Sequence, residues 1–332
     1  MKPLFAALLA LATFCANAQF LKTSKDDAFK IKNSKLIVAL DVEDEKLVKK
    51  LGKRDKEELF RYRMQIRGRN EAIQNAVEKY WNFSNDVVFL PLYEAFELLE
   101  SDMEGHVLLQ YGEYVDFEQF STGFSANGKP TGWYRGSGNA IVYNPATKYT
   151  FFSYLISSFE ISSEKSLAKV YLPSLYPSKP DAVFGIQHLE YILNYLVEKP
   201  QNEMRYFDKQ ISQNAPELKE MTLLIDEKEL DSKLKATSIK EYYPYPYKVV
   251  SQAFINKAIL QEEEQYAYIQ IVQTPSGKQS ESTHAIVGAK DGKIYYYLTP
   301  NISVNIKSSN VLNQNVRIKA KHFEKYAKEI EN

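Results

Sequence analysis

Apolar residues fall along this chain in two blocks that follow the same order. Residues 35–41, KLIVALD, form a continuous apolar run ending in an acid, and residues 221–226, MTLLID, have the same shape. Uninterrupted runs of this length, rich in branched side chains, read as strands buried on both faces. Each is followed by acidic residues of the kind that open a helix, Asp44-Glu45 in the first block and Glu227-Lys228-Glu229 in the second. Then come Lys79-Tyr80-Trp81-Asn82-Phe83 with Val87-Val88, and Glu241-Tyr242-Tyr243-Pro244-Tyr245 with Val249-Val250. Trp81 to Val87 and Tyr243 to Val249 are both six residues apart. Helical segments over 93–100 and 254–262 and strands over 107–111 and 268–272 continue the match. Each block ends on an amphipathic helix, with Ile186, Leu189, Leu193 and Leu196 on one stripe and Phe323, Tyr326, Ala327 and Ile330 on the other. His188 and His322 stand at corresponding places in those helices and read as a pair of helix-surface histidines inherited by duplication.

These periods predict an α/β fold, with α+β as the alternative. Two tandem, duplicated strand-helix-strand-helix sheet domains each carry added β-hairpins and a closing helix. The first unit spans 19–199 and the second 221–332. Residues 200–220, polar and bracketed by Pro200 and Pro216, read as a linker. A strand over 149–157 and a hairpin joining 285–289 to 294–298 through Lys290-Asp291-Gly292 belong to the sheet edges. The blocks differ in length: Asp41 to Trp81 is 40 residues, Asp226 to Tyr243 only 17. The first unit therefore holds insertions at about 46–69 and at 121–139, and additions to a rigid frame are where function concentrates.

Composition narrows the class. The 332 residues carry 42 basic and 42 acidic side chains, 44% hydrophobic and 25% charged, which excludes a disordered tail protein or a basic coat for nucleic acid. Residues 1–18, MKPLFAALLALATFCANA, read as a cleavable signal peptide: one Lys, a short apolar stretch, then Ala16-Asn17-Ala18. Cleavage there leaves 314 residues of net charge −1 and removes Cys15, the only cysteine. The expectation is a cysteine-free mature chain exported to the periplasm or the extracellular space, with no transmembrane span.

Catalytic signatures are sparse. The four histidines are widely separated, and His188-x-Glu190 lacks the later cysteines of a zinc deaminase. Gly136-Ser137-Gly138 is neither a nucleophile elbow nor a dinucleotide fingerprint. No catalytic residue, metal ligand or cofactor is assigned. Asp41 and Asp226, at the C-terminal ends of the buried strands where α/β sheets bind ligands, are the ligand-binding candidates; the alternative is that each caps a following helix. Residues 46–69 hold ten basic side chains against Asp55, Glu57 and Glu58, a net +7, and five of the chain's eight arginines. Guanidinium forks hold phosphate and carboxylate in two-pronged contacts, so Arg61, Arg63, Arg67 and Arg69 are partner-binding candidates. The alternative is a solvated helix with Leu47, Leu51, Leu59 and Ile66 turned inward. In YYPYPY (242–247) the prolines hold an extended path, which nominates Tyr243 and Tyr245 as exposed aromatics. The glycine-rich 121–139 segment nominates Phe124, Trp133, Tyr134 and Arg135 as contact residues across a hairpin turned at Asn127-Gly128.

The reading that follows is an exported, non-catalytic binding or adaptor module of the cell envelope. Its partner is an envelope protein or an anionic or glycan surface component, not nucleic acid. A glycan- or peptide-binding protein using exposed Tyr and Trp, and a hydrolase with an unrecognised site, are the alternatives.

Overall fold

The computed structural model describes residues 23–120, 139–144, 149–174, 176–198, 207–276, 279–298, 303–305, 310–312 and 317–331. The signal segment and residues 121–138, with Phe124, Trp133, Tyr134 and Arg135, lie outside them.

The first unit opens on α1 (Lys25–Asn33), capped by the Ser24 hydroxyl, which accepts from the Asp27 N–H at 3.1 Å. There follow β1 (Lys35–Leu40), α2 (Glu45–Arg54), α3 (Lys56–Tyr80), β2 (Val87–Pro91), α4 (Leu92–Ser101), β3 (His106–Phe120), β4 (Asn139–Asn144), β5 (Tyr149–Ser162), β6 (Ser166–Tyr171) and α5 (Lys179–Glu198). The second unit begins with α6 (Phe207–Asn214) and a 3-10 turn (Ala215–Lys219) and continues through β7 (Thr222–Asp226), a second 3-10 turn (Ala236–Glu241), β8 (Tyr247–Val250) and α7 (Gln252–Leu260). It closes with β9 (Tyr266–Ser276), β10 (Gln279–Gly288), β11 (Ile294–Leu298), the short strands β12 (Ser303–Asn305) and β13 (Asn310–Leu312), and α8 (Ala320–Glu331).

The fold is mixed α/β, and its two large sheets share one strand order, as a duplication requires. In the first, β1 pairs in parallel with β2 and β3; β3 runs antiparallel to β5, whose far edge carries β4 and β6. In the second, β7 pairs in parallel with β8 and β9, followed by antiparallel β10 and β11. The backbone fixes the equivalence. Lys35 N–H donates to Gly105 and Leu36 N–H to Asp86, as Thr222 N–H donates to Gln265 and Leu223 N–H to Pro246. Asp226 is thus the counterpart of Ala39, not of Asp41, and Val249 that of Phe89, not of Val87. The match read from the sequence is out by two residues at both places, an even number that leaves each side chain on its expected face.

Alternation along the strands builds the layers. Ile37, Ala39 and Leu108 pack beneath Ala95 and Leu99 of α4. Leu36, Val38, Val107 and Leu109 face the other way, onto α1, α3 and α5. The same cluster runs on through α5 to Leu224, Tyr268 and Val287 of the second sheet and to Ile255 and Ile259 of α7. The far face of that sheet, with Leu223, Ile225, Ile269 and Ile286, packs on Phe323, Tyr326 and Ile330 of α8. The order through the molecule is α4, first sheet, α1/α3/α5, α7, second sheet, α8.

Three expectations change. Residues 207–219 are helical and bury Phe207, Ile211, Ala215 and Leu218, so most of the expected 200–220 linker belongs to the core. No α-helix follows β7: the chain turns at Glu227–Lys228 and reaches β8 through one 3-10 turn. His188 and His322 are buried, not on helix surfaces. The expected 285–298 hairpin stands as read: Gly292 takes φ +67°, and Asp291 Oδ1 accepts from Lys293 N–H at 2.9 Å.

Candidate functional site

Two places in the first unit gather the nominated residues. One is the C-terminal end of the parallel strands. The chain leaves β1 for β2 on one side and returns across it to β3 on the other, so the strand order reverses between β1 and β3, where open α/β sheets form their ligand crevice. Asp41 follows β1 there. Its carboxylate is ion-paired with Arg69 of α3, and the Arg69 guanidinium lies 4.1 Å from the ring centre of Tyr111 on β3, a cation–π contact. Next to the pair, Asn70 clamps the Asp41 backbone from both sides: its side-chain oxygen accepts from Asp41 N–H and its amide donates to Asp41 C=O, both at 2.9 Å. The side chains of Arg69 and Asp41 are only 14% and 21% exposed. This arrangement pins the long helix to the end of the central strand. Arg63 adds a second tie, to Glu43 at 3.1 Å, and the Tyr62 hydroxyl accepts from Asp44 N–H at 2.8 Å.

Asp41 therefore does not cap the following helix. Asp44 does, accepting from Lys46 and Leu47 N–H groups at 2.8 and 3.0 Å. Asp226 caps no α-helix either; it is buried and accepts from Lys228 N–H at 3.0 Å within the turn. Beside it, burial raises the Glu229 carboxyl pKa, while the nearby Arg317 opposes the rise.

The second place is an arm formed by α2 and the first half of α3. The two helices meet at Asp55, which ends the first and caps the second by accepting from Glu57 and Glu58 N–H at 3.0 and 2.9 Å. The single amphipathic helix face expected over 46–69 is thus a two-helix hairpin. Leu51 and Ile66 are buried and Leu47 and Leu59 half-buried, which is the inward stripe the sequence predicts. The outward face carries Lys46, Lys49, Lys50, Lys53, Arg54, Lys56, Arg61 and Arg67, all exposed. Lys49 and Arg61 make only exposed one-turn pairs, with Glu45 at 3.8 Å and Glu57 at 3.7 Å, contacts worth a few tenths of a kcal/mol. The four nominated arginines therefore divide: Arg61, Arg63 and Arg67 stay on the surface, Arg63 in an exposed pair with Glu43, and Arg69 holds the arm to the sheet.

Two surface residues on this arm were missing from the sequence reading. Phe60 is 64% exposed and Met64 46%, one turn apart and out of phase with the Leu59–Ile66 stripe. That phase difference is the sequence signal that marks them. Asn70, Tyr111 and Glu43 carried no signal, because their partners lie on other elements.

The aromatic nominees separate as well. Tyr243 is 0% exposed, packed edge-on against Tyr245 at 5.4 Å and against Phe323 at 6.2 Å, and burial pushes its phenol pKa well up. It belongs to the core and is not available to a partner. Tyr245 is half-buried. The structure brings neither together with the arm or with the Asp41–Arg69 pair. Among the described residues no group of three His, Cys, Asp or Glu side chains converges as a metal site, and no helix is long and apolar enough to cross a membrane. Comparison with protein-family models, curated proteins and solved structures gives no match.

Proposed function

We propose that this chain is an exported, non-catalytic binding module that attaches to an anionic component of the cell envelope through the α2–α3 arm. The observation that carries the reading is the arm itself. It is an addition to a duplicated frame, absent from the second unit, and residues 45–69 concentrate a net +6 in a mature chain of net −1, leaving −7 for everything else. A surface with that separation is drawn to a negative partner in one orientation. The N-terminal signal pattern supports export. The Asp41–Arg69 pair supports the reading indirectly, since the guanidinium is committed to Asp41 and Tyr111 and serves to hold the arm in place.

Retention on an immobilised polyanion such as heparin tests this with the full chain. Arg61→Gln with Arg67→Gln, and separately Lys46, Lys49, Lys50 and Lys53→Gln, are expected to elute at lower salt than the parent, because exposed charge contacts are screened. Elution of both variants at the parent's salt concentration removes the arm as the contact surface.

A further inference from the structure

The outward face of α3 has a composition that a merely solvated helix does not need. With 3.6 residues per turn, Lys56, Phe60, Met64, Arg67 and Gly68 fall on one strip, and Arg61 flanks it. Phe60 and Met64 occupy the middle with most or nearly half of their surface open to water. At Gly68 nothing stands within 4 Å of where a Cβ would be, so the strip ends on open backbone. It runs about 18 Å along the helix. Beside it α2 adds Lys46, Lys49, Lys50, Lys53 and Arg54, again exposed.

Building on the reading above, we propose that this arm lies flat on an anionic lipid surface, Phe60 and Met64 entering the headgroup–acyl boundary while Lys56, Arg61, Arg67 and the α2 lysines meet lipid phosphates. Charge complementarity argues for that occupant. Five of the arm's nine exposed cations are lysines, point charges on flexible stems that suit a smeared negative surface better than the two-pronged geometry of a carboxylate face on a folded protein. An aromatic and a flexible thioether at the centre of a cationic strip match the apolar face of an interfacial helix. The −7 carried by the rest of the chain turns the remaining surface away from the same membrane, which makes the attachment one-sided.

Co-sedimentation of the full chain with vesicles of phosphatidylcholine alone and of phosphatidylcholine with phosphatidylglycerol tests it, alongside the heparin measurement. The expected result is binding to the anionic vesicles only, weakened by rising salt. Phe60→Ser with Met64→Ser, and Arg61→Gln with Arg67→Gln, are each expected to weaken it about tenfold, with unchanged circular dichroism and urea midpoint because all four side chains are on the surface. Heparin retention without vesicle binding overturns the lipid proposal in favour of an acidic macromolecule and leaves the binding-module reading standing. Vesicle binding that neither double variant alters assigns the contact to another surface and overturns the proposal, and loss of both heparin and vesicle binding by the parent chain overturns both readings.

Discussion

Acidification from about pH 7 to about pH 5.5 is expected to destabilise this protein through two buried imidazoles. His188 lies on α5, 0% exposed, between Phe184 and Tyr297, and its Nε2 is 2.7 Å from the Tyr297 hydroxyl. Burial lowers its pKa from 6.5 to about 3. His322 on α8 is equally enclosed; its Nδ1 accepts from Lys319 N–H at 3.2 Å and its ring meets that of His284 at 4.9 Å. Burial first, then the neighbouring His284 and the charges of Lys321, Lys319 and Lys325, lowers it to about 3 as well. The unfolded chain binds a proton at each near pH 6.5 and the folded chain does not until far lower. Stability is therefore fully present above the unfolded value and is lost as pH falls between the two. Over the stated window each histidine removes about 1.2 kcal/mol and the pair about 2.5 kcal/mol. Stopping near pH 5.5 matters, because burial raises the carboxyl pKa values of Asp181, Glu190 and Asp208, and their protonation favours the folded state, opposing the loss as pH drops further. Urea unfolding followed by tryptophan fluorescence measures the change. His188→Gln keeps an acceptor for Tyr297, and His322→Asn keeps one for Lys319 N–H; each is expected to halve the pH slope. Stability that is flat or rising on acidification in the parent, or unaltered slopes in both variants, refutes the argument.

Arg69→Gln is expected to cost about 2 kcal/mol, because it strands the largely covered Asp41 carboxylate, whereas Arg67→Gln should change stability by less than about 0.5 kcal/mol; urea midpoints compare the two. Gly185→Ala on α5 places a Cβ 2.7 Å from both Leu172 Cδ2 and Phe159 Cδ2, and this overpacking should lower stability by about 1–3 kcal/mol. Calorimetry of the full chain should give one transition, since α5 is shared by both sheets; two resolved transitions would show that the units unfold independently.

Much of the frame was legible because burial on both faces writes itself as unbroken apolar runs: residues 36–40, 107–111 and 223–226 could be little else. The turn at Lys290-Asp291-Gly292 was legible for a local reason, the need for positive φ at one residue. What escaped depended on contacts between distant elements or on faces without composition bias. The α6 segment hides Phe207 and Ile211, one turn apart, among Gln, Asn and Lys, so its polarity masked a helical period. Tyr243 and Tyr245 both read as surface aromatics, yet the extended path through Pro244 sends Tyr243 wholly into the core beside Phe323, a residue 80 positions away. Of the arginines, nothing in the local sequence separates Arg67 from Arg69. Only the docking of α3 on β1 and β3 makes one a surface charge and the other an anchor.

The arrangement of the two units explains why α5 and α8, equivalent helices by topology, have such different surfaces. Both cover the Leu36/Leu223 side of their sheets, and both use an inward stripe. The second unit then stacks its opposite side, the α7 side, onto the outer face of α5, so α5 is apolar nearly all round, with Val183, Phe184, Ile186, Leu189, Ile192, Leu193 and Leu196 buried. The hairpin turn seals this junction: Gln187 Nε2 donates to Lys290 C=O at 3.1 Å, and Gly292 approaches Gln187 so closely that an added Cβ would stand 2.5 Å from its Cβ. At the far end the outer positions of α8, Lys321, Glu324, Lys328 and Glu331, are exposed and charged. The stack is head-to-tail, and a head-to-tail stack continues until a polar face ends it. With α8 closing one end, the two units form one two-sheet body joined through α5, and the α2–α3 arm is an element that distinguishes the first copy from the second.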